Sequence, residues 1–265
     1  MDTGIGAIRG INHLLDALPA AKSQRLARSL TPVFLPIKTV LFEPGRTIES
    51  VFFPVTGVVS LVTPLGDGTA VEVATVGNEG VVGVPLVRGG SLTVRATSQV
   101  AGWVMRMDAA QFLDELDRNG RVRELVNDYL TALFGQISQV AACNRLHSLE
   151  ERLSRWLLMS HDRAGRDVFD ITNEFLGQLL GARPVTVTLS AGKLEAGGLI
   201  RYQYGQVTIV DRGGLESVAC ECYGVISSEL NRVAQKAHGR QDPGADLVLP
   251  GRGHRSRRLG AAVPA

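Results

Sequence analysis

The sequence predicts an α+β chain in three parts: an N-terminal double-stranded β-helix (a β-roll), one long helix, and a C-terminal winged helix-turn-helix. Three observations carry this. Short β-branched runs alternate with turn residues between Val33 and Met107. Apolar side chains then recur at close to 3.5-residue spacing from about Val122 to Ala142. Residues 170–212 read as helix, tight turn, helix and hairpin. The expected division is 11–120 for the roll, 121–144 for the long helix, 145–225 for the winged unit and 231–265 for a basic tail.

At the start, Leu14, Leu15, Leu18, Leu26 and Leu30 suit one or two short amphipathic helices broken near Pro19. The runs VLFEPG, SVFFPVTGVVSLVTPL, GTAVEVATVG, EGVVGVPLV and LTVRATSQVAGWVMRM follow, with glycines at frequent intervals, as a roll with tight corners requires. Asp108 caps a short helix to Leu116, and Arg118-Asn119-Gly120 interrupts it. On the long helix, Leu125, Tyr129, Leu133, Ile137 and Val140 form a stripe, with Val126, Leu130 and Phe134 beside it. That stripe is too wide for one β-roll to cover, so part of it is assigned to a homodimer interface. Leu149 to His161 forms a further helix leading into the winged unit.

In that unit Thr172 serves as N-cap, and Phe175, Leu176, Leu179 and Leu180 line one helical face. Gly181 stops the helix where the absence of Cβ tolerates a sharp turn. The second helix opens on Pro184, whose missing N–H is no loss in a first turn. Val187, Ala191, Leu194 and in part Leu189 face inward, leaving Arg183, Thr186, Thr188 and Lys193 outward. The segments LIRYQ and QVTIV flank Tyr204-Gly205 as a two-stranded wing carrying Arg201. Such a unit presents one helix to a groove of double-stranded DNA, so Arg183, Thr186, Thr188, Lys193 and Arg201 are the candidate DNA contacts.

At 265 residues the chain has room for two cored domains, and 45% hydrophobic with 20% charged residues is an ordinary globular balance. It holds no apolar run of about 18 residues and no basic-then-apolar leader, so a cytoplasmic location without membrane contact is expected. Cys143, Cys220 and Cys222 are too few and wrongly spaced for a disulfide scaffold. Cys220-x-Cys222 is half of a ligand set, but with no second pair, and with His147 and His161 distant in sequence, buried thiols and no metal are expected. From Asn231 onward there are seven basic and two acidic residues among Gly, Pro and polar ones, the composition of a disordered tail. Residues 165–212 hold five basic and five acidic side chains, so composition shows no basic excess at the expected DNA face.

FLPIKTVLFEPG at the start of the roll and FLGQLLGARPVTVTLSAGKLEAGGLIRYQYGQVTIVD in the winged unit resemble the Crp/Fnr family of bacterial transcription regulators, over roughly residues 11–225. The continuation GGLESVACECY resembles a subgroup whose effector is unassigned. The resemblance implies a cyclic-nucleotide-binding-like roll, a homodimer joined along the long helix and a DNA-reading head. RNA polymerase is a further candidate partner. A small-molecule effector in the roll is a candidate too, and no cofactor is assigned. Gly77-Asn78-Glu79-Gly80 is similar to the start of the family's phosphate-binding cassette, whereas Gly90-Ser91 stands where its Arg-Ser pair belongs. Glu79, Arg88, Ser91 and Gln139 are therefore the candidate effector pocket. With the guanidinium missing at 90 and no hydroxyl at Val140, cyclic AMP is not the expected effector. The resemblance implies that Pro184 occupies the position of an arginine that in many members reads a guanine edge, which leaves Arg183 either that role or a phosphate clamp at the helix N-terminus.

Two functions of different class follow. The first is a homodimeric transcription regulator that reads DNA; the second is a degenerate relative that works through protein–protein contact. No spacing of Ser, His and Asp, no HExxH and no phosphate-binding GxxxxGK suggests an enzyme.

Overall fold

A computed structural model describes residues 10–18, 20–84 and 93–237. Two short helices, α1 (His13–Asp16) and α2 (Ala20–Ala27), precede seven strands: β1 (Thr31–Leu35), β2 (Val40–Phe42), β3 (Ser50–Pro54), β4 (Val58–Pro64), β5 (Ala70–Val76), β6 (Arg95–Val100) and β7 (Gly102–Asp108). They form two antiparallel sheets, ordered β1-β7-β3 and β2-β6-β4-β5. In β7 the alternation runs in two stretches: Trp103 faces out between buried Gly102 and Val104, and Met107 is buried between exposed Arg106 and Asp108. Trp103 meets Phe34 of β1 edge-on, with ring centroids 5.5 Å apart.

β4 breaks that alternation, because Val58 through Val62 are all buried. Val59 and Leu61 point into the roll, whereas Val58 and Val62 join a second core with Leu153, Trp156, Leu157 and Leu176 from the C-terminal unit. A strand covered on both faces reads as a continuous apolar run, and that is what the sequence shows here.

The helices follow. α3 (Ala109–Arg118) is capped by Asp108, whose carboxylate accepts from the amides of Ala110 and Gln111. α4 (Gly120–Leu146) runs 27 residues, about 40 Å. α5 (Leu149–Ala164) starts in a capping box, Ser148 with Glu151, and ends at Gly165 in the left-handed region. Then come β8 (Val168–Asp170), α6 (Asn173–Leu180), α7 (Pro184–Ala196), β9 (Ile200–Gln203), β10 (Gln206–Ile209), α8 (Arg212–Val218) and α9 (Cys222–Ala237).

Three sequence expectations are corrected. The wing has three strands, ordered β8-β10-β9, not two. Residues 231–237 are not the start of a tail: they continue α9, which lies along α4 and sets Val140 against Met159 and Ile226. The remainder of that tail lies outside the described residues. Lastly, the α4 stripe is not a free dimer face. Leu125, Tyr129 and Leu133 are buried in the core of their own roll, Ile137 packs half-buried beside it, and Val140 is covered by α5 and α9. The roll, α5 and α9 together cover the stripe.

A buried polar chain crosses from the roll to α5. Ser60 Oγ lies 2.6 Å from both Glu72 Oε2 and Gln99 Oε1, and it owns a single hydrogen. Both contacts are satisfied when Glu72 is protonated and donates to Ser60, which then donates to Gln99. The Gln99 amide donates to Ser160 Oγ at 2.8 Å, and Ser160 donates to the Trp156 carbonyl at 2.9 Å. Burial agrees with this count, pushing the Glu72 carboxyl up to about 7 from 4.5. Between those values the folded protein keeps a proton that the unfolded chain has released, so this group's contribution to stability falls as pH rises, by about 3 kcal/mol in all. Glu72→Gln copies the neutral donor and removes the dependence. In urea titrations its stability relative to wild type is expected to be higher near pH 8 than near pH 5; an equal difference at both would show the carboxyl is ionised in the fold.

Candidate nucleic-acid interface and sensor site

The winged unit is held by the residues that specify its helices. Thr172 Oγ1 accepts from the Phe175 amide, and Phe175, Leu176, Leu179 and Leu180 are buried beneath α6. Gly181 follows at φ 58° with its α-carbon against Val71 of β5: an added Cβ would sit 3.1 Å from a Val71 methyl. Pro184 opens α7, and Val187, Ala191 and Leu194 turn inward as the sequence implied. Leu189 does not; it is 65% exposed beside Val185 at 71%.

The outer face of α7 carries Arg183, Thr186, Thr188 and Lys193, all exposed. Their roles divide. Arg183 holds the N-cap position without capping through its side chain, and among the described residues its guanidinium makes no ion pair. Thr188 is already engaged, donating to the Pro184 carbonyl and accepting from Asn173 at 2.8 Å. Lys193 Nζ lies 3.2 Å from Glu150 of α5. Arg201 stands exposed on β9, opposite Thr208 of β10. At the wing tip Tyr204 (φ 52°) and Gly205 (φ 74°) make a two-residue turn of the kind that matches strand twist, and the Tyr204 ring is fully exposed.

Of the residues expected of an effector pocket, the two that are described, Glu79 and Gln139, turn to different partners. Glu79 accepts a 2.7 Å hydrogen bond from Arg163 Nε of α5, and both side chains are largely buried. Gly80 lies under the Tyr129 ring, which occupies the space a Cβ would need. Gln139 is corrected: its amide donates to Cys222 Sγ at 3.1 Å, on the face of α4 turned to the C-terminal unit. The α4 glutamine that meets the roll is Gln136, donating to the Thr75 carbonyl. Arg88 and Ser91 lie outside the described residues. A cleft of about 320 Å³ borders Glu79 and is lined by His13, Arg163, Arg212, Tyr223 and Leu230, so α5 and α9 wall it as much as the roll does.

Four ligand-type side chains converge elsewhere. Cys143, His147, Cys220 and Cys222, read separately in the sequence as packing groups, place their ligand atoms within 4.8 Å of one another at the junction of α4 with α5. Their convergence across some 75 residues has no local signature. α9 did have one, since Ile226, Leu230 and Val233 recur at helical spacing.

A β-roll joined through a long helix to a winged helix-turn-helix defines the class of two-domain transcription regulators. A family model of the cyclic nucleotide-binding domain matches residues 32–119, and one of the Crp-like helix-turn-helix domain matches residues 151–218. No curated protein matches the sequence. Among solved structures, a Crp/Fnr-family transcriptional regulator from Eubacterium rectale superposes with a TM-score of 0.59 at 16% identity, over 77% of this chain and 96% of that one. FixK2 from Bradyrhizobium japonicum gives 0.59 at 17%, over 72% and 98%. The c-di-GMP-responsive global regulator CLP from Xanthomonas campestris gives 0.59 at 15%, over 72% and 99%. At such identities the likeness is one of fold. With both domain models matched in order, the chain belongs to the Crp/Fnr family of transcription regulators. Among the described residues no helix is long and apolar enough to cross a membrane.

Proposed function

We propose that this chain is a homodimeric transcription regulator that binds double-stranded DNA through α7 and the wing, with an effector other than cyclic AMP. The observation that carries the reading is the outer face of α7: exposed along its length, next to an exposed wing tip, and headed by an arginine with no ion-pair partner among the described residues. An arginine at a helix N-terminus suits either a guanine edge or a phosphate. RNA polymerase is a further partner in this proposal, as family membership implies.

The proposed dimer face is the side of α4 left open by the roll and α9. Asn127, Thr131, Phe134, Ser138, Ala141 and Arg145 are exposed and alternate at spacings of four and three, the seam of a two-stranded coiled coil. Its small side chains permit close approach, and Phe134, 71% exposed, is its one large apolar group. A second copy meets the same seam and covers it. The exposed Val185 and Leu189 favour a second reading, in which α7 meets a protein.

Phe134→Asp is expected to release folded monomers in sedimentation, whereas Leu133→Asp, placing a charge in the core, is expected to unfold the chain. A Phe134→Asp dimer of unchanged mass would refute this seam. Arg183→Ala is expected to weaken operator binding by about 1–3 kcal/mol and to relax preference at one symmetric position if it reads a base. If it holds phosphate, the loss is uniform across sequences and the salt slope falls by about one. A wild-type dimer that selects no fragment from random duplexes, with or without cell extract, would favour the protein-contact reading. Loss of one charged clamp typically costs about 2–5 kcal/mol, so titration calorimetry with cyclic AMP is expected to show no micromolar binding, and tight binding would refute that choice.

A further inference from the structure

We infer that Cys143, His147, Cys220 and Cys222 form a mononuclear tetrahedral site for a zinc-class divalent ion, built across the joint between the sensor roll and the DNA-binding unit. The inference is independent of the proposed DNA contact.

The distances suit one ion. Cys143 Sγ and Cys220 Sγ are 3.5 Å apart, as are Cys222 Sγ and His147 Nδ1. Zinc at about 2.3 Å from sulfur and about 2.0 Å from nitrogen places tetrahedral ligand atoms roughly 3.5–3.8 Å apart. An iron–sulfur cluster shares its thiolates among separate irons and needs a wider set. All three cysteines are free and buried, so neither a disulfide nor solvent claims them.

The surroundings are those of a metal ligand set. His147 Nε2 lies 3.2 Å from the Glu221 carboxylate. With the proton held there, Nδ1 is left as a lone pair turned toward Cys222, the carboxylate–histidine–metal arrangement. Gln139 donates its amide hydrogen to Cys222 Sγ, which steadies a thiolate. Three thiolates and one divalent ion leave a net charge of minus one. Two arginines of α5 face it: Arg155, almost fully buried, and Arg152, each with Nε lacking a hydrogen-bond partner among the described residues. A buried guanidinium needs an anion nearby, and a Cys₃His metal centre supplies one.

The placement assigns the ion a task. Cys143 sits on the last turns of α4, His147 immediately after that helix, and Cys220 and Cys222 between α8 and the first turn of α9. An ion held by all four cross-links the roll's long helix to the C-terminal unit on either side of the bend before α5.

Chain stripped of metal under reducing conditions and titrated with Co²⁺ is expected to take up one equivalent. It is expected to show thiolate-to-cobalt charge transfer with the intense visible bands of four-coordinate cobalt, both bleached by Zn²⁺. Zinc is expected to raise the melting temperature and protect all three thiols from alkylation. Cys222→Ser should lose most of the charge transfer. Because that change touches the interior, Glu221→Gln is the companion: it alters an exposed side chain and is expected to lower zinc affinity roughly 10- to 100-fold with the fold intact. Weak octahedral cobalt spectra, thiols that alkylate equally with and without zinc, or an iron–sulfur chromophore in protein purified without air would each overturn the assignment.

Discussion

The roll and the C-terminal unit are joined by an apolar contact, the outer face of β4 and β6 against α5. Val58, Val62 and Val100 belong to the same core as Trp156, Leu157 and the α6 stripe. Sensor and reading head are therefore not two beads on a string. The side chains between them are buried, and several polar groups there find their partners inside. Ser60, Glu72 and Gln99 do so by forming a chain to Ser160, and Glu79 does so by pairing with Arg163. Each of these groups, left without its partner, would have cost the contact free energy.

The same contact explains which parts of the fold were legible. Caps, turns and local periodicity are set by residues a few positions apart, so Thr172, Gly181, Pro184 and Asp108 could be placed from the sequence alone. The stripe on α4 was legible as apolar but not as to its partner: periodicity tells how much of a helix is covered, never by what. α9 lies beyond a run of glycines and cysteines, and the polar tail after it masked the spacing of Ile226, Leu230 and Val233. Once α9 is in place, Val140 is an interior residue and the open face of α4 rotates to Phe134 and Ser138.

For the candidate sites the limit was of another kind. The outward positions of α7 followed from helical phase, yet nothing local revealed that Thr188 and Lys193 are already engaged, with Asn173 and Glu150. Gln139 and Gln136 differ by less than one helical turn, which is enough to send one to the thiols and the other to β5. The cysteines and His147 meet only because α4 and α9 run side by side, a tertiary fact with no trace in spacing.

The polar chain through Ser60 has a direction as well as a position. Each member passes a hydrogen onward toward the Trp156 carbonyl, so the two ends are not equivalent and no link can be inverted by itself. A carboxamide turned end for end at Gln99 would crowd hydrogens at Ser60 and set two acceptors face to face at Ser160. These side chains thus behave as one sentence with a fixed word order: in the evolution of such a chain they are free to change together, and each alone is constrained by all the rest.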